Sequence, residues 1–506
     1  MSIETGIFNR LFKDGYLFFA TDMIEYNRSI TGRGEAPGTE SYMSIGETVA
    51  AVSTPRGRGG VAVIRITGDG AAAVADRAFR PAGGGLLSER PPRTAVFGSV
   101  VREDGEVVDR AVAALFRGPR SFTGEDTAEI SCHGGVAVTA AALEAVFAAG
   151  ASPAGPGEFT RRAFINGKIS LSEAEAVGLL IDADTEDRMK LAVNSAGGAL
   201  RRKIEAVGDG LSDAVSELCA IIDFPDELIS EDGGTDADGR IVTAVAKAAE
   251  DTEKLLSTYR RGAAVTDGVR TAILGSPNVG KSSLFNALTG GDDAIVTDIP
   301  GTTRDVLRRT VPFGGVTLLL SDTAGLRETD ETVERIGVER AKKEAEDAEM
   351  IFFVVDGSRP LSEGEKEEIS SLPPATRFAA VNKRDLPRGL SAEDETFLKE
   401  AFDAVAGISA SNGDTEELAD AVRDAFDSDR VDLSRDPVIW DARQRADLTA
   451  AAALLREAER TLRAGGPPDA ACALCEEAAA RLRMTDGRGI GEEIVDRIFS
   501  RFCVGK

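Results

Sequence analysis

The chain has 506 residues, and its 85 acidic and 59 basic side chains give a formal net charge of −26, which disfavours non-specific binding to phosphate backbones. Its single histidine, His133, excludes functions that need two or three imidazoles, such as His-rich zinc sites and HExxH metalloproteases. Five scattered cysteines, and no apolar run near the ~18 residues of a membrane span, predict a cytoplasmic protein without membrane contact.

The first half of the chain changes character twice. Residues 1–42 have no clear periodicity, and we interpret them as an extension that is disordered or arises from a mis-assigned start. Residues 43–164 combine short β patterns with Gly/Pro turns, which predicts a mixed α/β domain. Residues 165–267 are predicted to be helical: Ser172 and Glu175 have capping-box spacing, and an apolar stripe indicates a long helix. The stripe consists of Leu200, Ile204, Val207, Leu211, Val215, Leu218 and Ile222.

The second half alternates strands and helices before it returns to helices. Residues 268–427 have the alternation typical of βαβ units. The predicted strands are 271–274, 316–322, 350–356, 378–382 and 404–410. Residues 428–506 are again helical in pattern. We therefore predict one helical domain into which an α/β domain is inserted.

Residues 275–282 (GSPNVGKS) match the P-loop pattern and lie between a predicted strand and a predicted helix. The glycines allow the backbone to curl so that its N–H groups face phosphates. Lys281 brings a charge to the β- and γ-phosphates, and Ser282 offers a hydroxyl to Mg²⁺. The helix N-terminus adds partial positive charge. These residues predict a nucleoside triphosphate site.

Four further segments, in a fixed order along the chain, indicate GTP. Thr302 and Thr303 lie where a switch threonine completes a Mg²⁺ shell, and residues 322–325 (DTAG) put a carboxylate near Mg²⁺ and an N–H near the γ-phosphate. Residues 382–385 (NKRD) end a strand, and their aspartate can accept hydrogen bonds from guanine N1 and N2, which adenine cannot supply. Residues 409–411 (SAS) follow the next strand, where a backbone N–H can meet guanine O6. ATP is therefore disfavoured.

The group that orients the attacking water is not evident from these motifs. Many GTPases have a glutamine after the DTAG-type segment, but this chain has Leu326, which cannot orient water. Acidic residues follow, each of which is also compatible with a solvated surface position. They are Glu328, Asp330, Glu331 and Glu334.

Seven longer motifs lie along the chain. They are residues 54–68 (TPRGRGGVAVIRITG), 121–135 (SFTGEDTAEISCHGG), 156–176 (PGEFTRRAFINGKISLSEAEA), 220–227 (AIIDFPDE), 301–305 (GTTRD), 322–337 (DTAGLRETDETVERIG) and 502–506 (FCVGK). From Met43 to Lys506 the chain resembles the bacterial tRNA-modification GTPases of the MnmE (TrmE) family. The last motif is specific, because family members typically end in Cys-x-Gly-Lys.

The resemblance implies a multidomain α/β and all-α fold. Its N-terminal α+β domain (43–164) is similar to tetrahydrofolate-binding domains and forms a homodimer. A helical domain in two parts (165–267 and 428–506) surrounds a Ras-like P-loop GTPase domain (268–427). The implied function is K⁺-stimulated GTP hydrolysis that, with the flavin-dependent partner MnmG (GidA) in a heterotetramer, modifies C5 of the wobble uridine of certain tRNAs. The added group is aminomethyl or carboxymethylaminomethyl, and 5-formyl- or methylene-tetrahydrofolate supplies the one-carbon unit.

The resemblance also assigns roles to individual residues. The catalytic residues are Glu334, which orients water, Lys281, and Cys503, which takes part in the modification. The folate contacts are Arg65, Glu129, Lys168 and Lys506. The metal ligands are Ser282 and Thr303 for Mg²⁺, and Asn278, Thr297, Ile299 and Thr302 for K⁺. The GTP contacts are Asn278, Val279, Gly280, Lys281, Ser282, Ser283, Thr297, Asp298, Ile299, Pro300, Gly301, Thr302, Thr303, Asp322, Thr323, Ala324, Gly325, Asn382, Lys383, Asp385, Ser409, Ala410 and Ser411.

Other interpretations of the cysteines stay open. Cys472 and Cys475 have metal-ligand spacing, but no second pair completes a tetrahedral site, so core packing is favoured. Cys132 precedes His133 on a predicted strand, whose neighbouring side chains point to opposite faces, so a structural or folate-pocket role for His133 is favoured over a catalytic dyad. Cys503 is compatible with reactivity or with burial.

Two other functions compete with wobble-uridine modification. One is a regulatory or ribosome-assembly GTPase without modification chemistry. The other is a folate-dependent aminomethyltransferase with an inactive GTPase domain, against which the intact GTP motifs argue.

Overall fold

The computed structural model describes residues 47–55, 57–223, 236–290, 295–296, 308–321, 345–426 and 431–505. The predicted extension at 1–42 lies outside these residues. Within them, no helix is both long enough and apolar enough to cross a membrane.

The N-terminal region forms a seven-stranded sheet with two helices packed on one face. Its elements are β1 (Val49–Val52), β2 (Val61–Thr67), α1 (Ala71–Ala78), β3 (Phe79–Pro81), β4 (Val96–Val101), β5 (Val107–Phe116), β6 (Thr127–His133), α2 (Val136–Ala148) and β7 (Ser152–Pro153). The strand order is β3-β4-β5-β6-β2-β1-β7. Only the β1–β7 pair is parallel.

Alternating burial along β2 separates the core face of this sheet from its open face. Ile64 and Ile66 are fully buried against α1 and α2. Arg65, between them, points to the opposite face, because successive side chains of a strand alternate. Its neighbour in the register is Glu129 on β6. The open face therefore carries polar and charged residues at the centre of the sheet.

Helices follow this sheet. They are α3 (Glu158–Ile165), α4 (Leu171–Ile181), α5 (Glu186–Ala196), α6 (Ala199–Asp223), α7 (Asp236–Ser257) and α8 (Tyr259–Thr266). The predicted stripe lies on α6, where Leu200, Ile204, Val207, Leu211 and Leu218 are buried. Val215 is packed against the same core, whereas Ile222, at the end of α6, is 40% exposed.

A second seven-stranded sheet follows. Its elements are β8 (Val269–Leu274), α9 (Lys281–Thr289), β9 (Ile295–Val296), β10 (Arg308–Phe313), β11 (Val316–Ser321), β12 (Met350–Asp356), α10 (Glu363–Ser370), β13 (Thr376–Asn382), α11 (Ala392–Ala401), β14 (Ala404–Gly407) and α12 (Glu416–Phe426). The strand order is β14-β13-β12-β8-β11-β10-β9. The strands from β14 to β11 are parallel, so their carboxyl ends meet at one edge.

The predicted strands correspond to β8, β11, β12, β13 and β14, but the last prediction is too long. β14 ends at Gly407, and Ala410–Asn412 forms a 3₁₀ turn. Ser409 pairs with Asp414 across this turn, which closes it. The chain turns here because the backbone of Ala410 meets the side chain of Asn382, as described below.

Three C-terminal helices complete the helical region. They are α13 (Ala442–Arg463), α14 (Pro468–Thr485) and α15 (Glu492–Phe499). Helices α13 and α14 share one hydrophobic core with α6 and α7. The two helical segments on either side of the second sheet therefore pack together, and the apolar face of each covers that of the other.

The start of α4 corrects one prediction. Ser172 and Glu175 do not form the capping box; Ser170 and Glu173 do, two residues earlier. Glu175 instead points into the helical region, where its Oε2 lies 3.0 Å from Nη2 of Arg443 on α13. The capping-box spacing occurs twice in this segment, and only the packing of the helix identifies which pair lies at its start.

Candidate functional site

The P-loop connects β8 to α9 through a backbone that requires glycine. Gly275 has a φ of +133°, and a Cβ there would collide with the carbonyl oxygen of Val354 on the neighbouring strand. Lys281 Nζ donates to the carbonyl oxygens of Gly275 and Ser276 at 2.6 and 2.7 Å. Burial lowers the pKa of Lys281. Because α9 begins at Lys281, the loop, the lysine and a helix N-terminus form a cradle suited to phosphate.

Asn382 links the P-loop to the two loops predicted to bind guanine. Its Nδ2 donates to the carbonyl oxygen of Val279 at 2.8 Å, and its Oδ1 accepts from the N–H of Ala410 at 3.0 Å. The residue is only 4% exposed. The carboxyl ends of β8, β13 and β14 are thus joined through one buried amide.

The aspartate expected to bind guanine faces the serine loop. Ser409 Oγ donates to Oδ1 of Asp385 at 2.6 Å, and the N–H of Arg384 donates to the carbonyl oxygen of Ile408 at 3.0 Å. Ser411 Oγ lies 3.5 Å from Ser409 Oγ. These contacts leave the second carboxylate oxygen of Asp385 for a base. The NKRD and SAS segments are thus in direct contact.

Two predicted metal ligands are described, and their chemistry fits. Ser282 is exposed in the first turn of α9, and Asn278 is exposed in the P-loop with a φ of +64°. Both side chains offer oxygen atoms, which are the ligands that hard cations such as Mg²⁺ take. In the described ranges, no group of three or more His, Cys, Asp or Glu residues could hold a metal.

The remaining predicted residues of the nucleotide site, together with Lys506, lie outside the described residues. They are Thr297, Asp298, Ile299, Pro300, Gly301, Thr302, Thr303, Asp322, Thr323, Ala324, Gly325 and Glu334.

Three predicted folate residues surround one loop on the open face of the N-terminal sheet. Arg65 pairs with Glu129, with Nε and Nη2 at 2.9 and 2.8 Å from Oε1. The guanidinium lies 5.6 Å from the ring centroid of Phe122 and 5.5 Å from that of Phe159. Lys168 Nζ donates to the carbonyl oxygen of Pro119 at 2.8 Å, in the loop that carries Phe122. The result is a charged pair beside two aromatic rings.

The end of the chain packs against this same sheet. Ser53 Oγ, just after β1, donates to the carbonyl oxygen of Gly505 at 2.8 Å, across 452 residues of sequence. Val504 forms a β-bridge with Pro156, and the carbonyl oxygen of Cys503 accepts from the N–H of Gly157 at 3.3 Å. Cys503 itself is exposed. The C-terminal motif thus lies at the start of α3, the helix that supplies one of the rings beside Arg65.

Two family models match this chain, one over the N-terminal sheet and one over the rest. The family model "GTP-binding protein TrmE N-terminus" matches residues 48–168, and "MnmE helical domain" matches residues 171–503. A tRNA modification GTPase MnmE of Symbiobacterium thermophilum is 41% identical over 91% of this chain and 99% of that protein. One of Roseiflexus sp. (strain RS-1) is 38% identical over 92% of this chain and 100% of that protein. The chain belongs to the MnmE family of tRNA modification GTPases.

Membership of the MnmE family makes the chain a GTPase, as its P-loop and NKRD motifs predicted. A solved structure, the G domain of the T. maritima FeoB iron transporter, is 27% identical over 30% of this chain and 94% of that chain. Its TM-score of 0.21 is too low to add to the fold assignment.

The structure of this MnmE-family chain distinguishes between the interpretations of Cys132, Cys472 and Cys475. Cys132 is buried in the core of the N-terminal sheet, whereas His133 is exposed on the other face and its Nδ1 lies 2.9 Å from Asp109 Oδ1. The two residues therefore do not form a dyad, as the strand alternation predicted. Cys472 and Cys475 are buried in the helical core, as expected for packing.

Sequence reasoning missed three residues next to the predicted sites. Phe122 and Phe159 flank Arg65, and their aromatic character within the longer motifs was the available signal. Asp356 contacts Lys383. The sequence could have indicated it, because it is an aspartate at the end of the apolar strand that pairs with the NKRD strand.

Proposed function

We propose that this MnmE-family GTPase couples GTP hydrolysis to modification of C5 of the wobble uridine in certain tRNAs. It acts with the flavin-dependent partner MnmG (GidA) and takes a one-carbon unit from 5-formyl- or methylene-tetrahydrofolate. The observation that carries the proposal is the docking of the C-terminal segment against the N-terminal sheet, because Ser53 binds the Gly505 carbonyl beside the elements that hold Arg65. This docking places Cys503, the residue expected to take part in the modification, next to the helix whose Phe159 lies beside Arg65.

In the nucleotide site, the residues of this chain bind and orient GTP. Lys281 exchanges its two carbonyl partners for phosphate oxygens, and the free oxygen of Asp385 accepts from the guanine ring. Ser282 and Thr303 are assigned to Mg²⁺. Asn278, Thr297, Ile299 and Thr302 are assigned to K⁺. The two cations, when bound, neutralise the negative charge that develops on the phosphates during hydrolysis. Glu334 orients the water.

On the N-terminal sheet, Arg65, Glu129, Lys168 and Lys506 are assigned to folate. The exposed ring of Phe122 beside the Arg65 guanidinium supports this assignment, because ligand sites commonly combine an aromatic surface with a few charged groups. Arg65 is already paired with Glu129, so the pair can present both a cation and an acceptor to one ligand. Cys503, exposed nearby, is assigned to the modification chemistry.

The proposed assembly and domain limits follow the family pattern. The N-terminal domain (43–164) forms the homodimer, and two MnmG chains complete a heterotetramer in the cytoplasm. The helical domain comprises residues 165–267 and 428–506, around the GTPase domain at 268–427.

Nucleoside analysis of tRNA tests the function. A strain that lacks this protein is expected to lose the modified wobble uridines, and the wild-type gene is expected to restore them. A gene truncated after Phe502 is expected not to restore them, although its product still hydrolyses GTP in vitro. Unchanged wobble uridines in the deletion strain would instead favour a regulatory or ribosome-assembly GTPase.

The Asp385→Asn variant tests the base site. Asparagine replaces an acceptor by a donor, so it pairs with the C2 carbonyl of xanthine rather than with the C2 amino group of guanine. The variant is expected to prefer xanthosine triphosphate over guanosine triphosphate in turnover and binding assays. An unchanged preference for GTP would show that Asp385 does not contact the base.

Two measurements test hydrolysis. Glu334→Ala is expected to abolish turnover but to leave GTP affinity nearly intact, because the residue acts on water and not on the bound nucleotide. An equal loss of affinity would refute that role. Replacement of K⁺ by Na⁺ is expected to slow turnover, and an indifferent rate would remove the K⁺ site.

A further inference from the structure

Asp356 ends β12 next to the strand that carries the NKRD motif, and no role is assigned to it above. It is 8% exposed, and its register neighbour on β13 is Asn382. Lys383 Nζ donates to its Oδ2 at 2.6 Å. Ser358 donates to its Oδ1 from both the N–H, at 3.0 Å, and Oγ, at 2.6 Å. Both carboxylate oxygens are therefore held in place.

The backbone around Asp356 fixes the position of this carboxylate. The N–H of Gly357 donates to the carbonyl oxygen of Asn382 at 2.9 Å, and the N–H of Gly389 donates to the carbonyl oxygen of Gly357 at 2.9 Å. A Cβ on Gly357 would lie 2.8 Å from Val381 Cγ1 and 2.9 Å from the Asn382 oxygen. The loop after β12 and the loop after β13 are thus in direct contact, and Asp356 cannot move independently of the NKRD segment.

The carboxyl group of Asp356 is ionised throughout the usual pH range. Burial acts to raise the pKa of Asp356, but hydrogen bonds from Lys383 and Ser358 outweigh it and hold the pKa at about 2. Lys383 is also constrained at its other end, where its φ is +67°. The backbone and the ammonium of Lys383 are therefore both held, which restricts the rotamers of the four methylenes between them.

We propose that Asp356 is a positioning residue for guanine binding: it anchors the Lys383 ammonium so that the lysine stem forms one wall of the base pocket. The inference rests on the proposed base site at Lys383 and Asp385. Without the anchor, the stem gains rotamer freedom that it must lose again whenever the base binds.

Release of a fluorescent GDP analogue from the full-length protein tests the proposal. Asp356→Asn keeps the side-chain volume and an acceptor for Ser358 but removes the charge that holds Lys383. It is expected to speed release about tenfold, because the freed lysine stem must lose its rotamer freedom again whenever the base binds. Lys383→Met removes the other half of the pair and is expected to speed release to a similar extent. The double variant is expected to release GDP no faster than Lys383→Met.

Ser358→Ala is the matched control, because it removes one hydrogen bond to Asp356 and leaves the lysine pair intact. Its release rate is expected to stay within about twofold of wild type. Wild-type release from Asp356→Asn, additive effects in the double variant, or an equal effect of Ser358→Ala would each overturn the proposal. If Asp356→Asn does not fold, wild-type release from Lys383→Met alone overturns it.

The Asp385→Asn variant separates this proposal from the base site on which it rests. If it changes base preference while Asp356→Asn has no effect, the base site stands and only the role of Asp356 is wrong. If Asp385→Asn leaves base preference unchanged, the base site itself is wrong.

Discussion

Replacement of Asn382 by alanine is expected to weaken both the fold and the nucleotide site. The variant leaves the Val279 carbonyl and the Ala410 N–H without partners at a position only 4% exposed. Each lost bond in such surroundings costs about 1.5 kcal/mol, so the two together cost about 3 kcal/mol. For a domain of about 150–250 residues, such as the one that contains Asn382, a loss of this size lowers the melting temperature by about 6–12 °C.

The same change is expected to lower GDP affinity at least about tenfold, because the P-loop and the serine loop lose their common anchor. Differential scanning calorimetry and isothermal titration with GDP measure the two effects. Asn194→Ala is the matched control, since Asn194 makes one amide-to-carbonyl bond, to Asp436, at the surface of the helical region. It is expected to cost about 1 kcal/mol and to leave GDP affinity unchanged. Equal behaviour of the two variants would refute the reasoning.

Three other predictions concern a buried acid and two glycines. Burial raises the pKa of Glu175 to about 7, more than its arginine partner lowers it, so the folded protein keeps a proton that the unfolded chain loses near pH 4.5. The free energy of unfolding is therefore expected to fall by up to about 3 kcal/mol as pH rises from about 4.5 to 7. Urea titrations over this pH range are expected to show the fall in the wild type but not in Glu175→Gln. An equal pH dependence in both proteins would contradict this. Gly505→Ala places a Cβ against the Val52 carbonyl oxygen and is expected to expose the C-terminus to carboxypeptidase. Gly489→Ala is the control, because Gly489 also has a positive φ but a Cβ there would lie in open space. Equal digestion of both variants would refute the docking of the C-terminal segment. Gly280→Ala drives a methyl into the buried asparagine amide and is expected to abolish GDP binding by calorimetry, so retained binding would contradict the observed loop contact.

Much of the nucleotide site could be predicted because its signals are local. The P-loop needs glycines at fixed spacing and a lysine at the start of a helix, and both are readable in eight consecutive residues. The parallel strands could be predicted for the same reason, since β12 is seven consecutive apolar or strand-ending residues, all buried. Local signals failed where two pairs of residues had the same spacing. At the start of α4, both Ser170 with Glu173 and Ser172 with Glu175 have capping-box spacing, and only the first pair forms the capping box.

The sequence by itself determined the order of the elements, the GTP motifs and the split of the helical region, because backbone preference and hydrophobic period act over neighbouring residues. Only the tertiary structure decided which distant residues meet. Ser53 binds the Gly505 carbonyl, Arg65 pairs with Glu129, and Asp356 holds Lys383. No period or spacing encodes such pairs, because they depend on how complete elements pack once their apolar faces are buried.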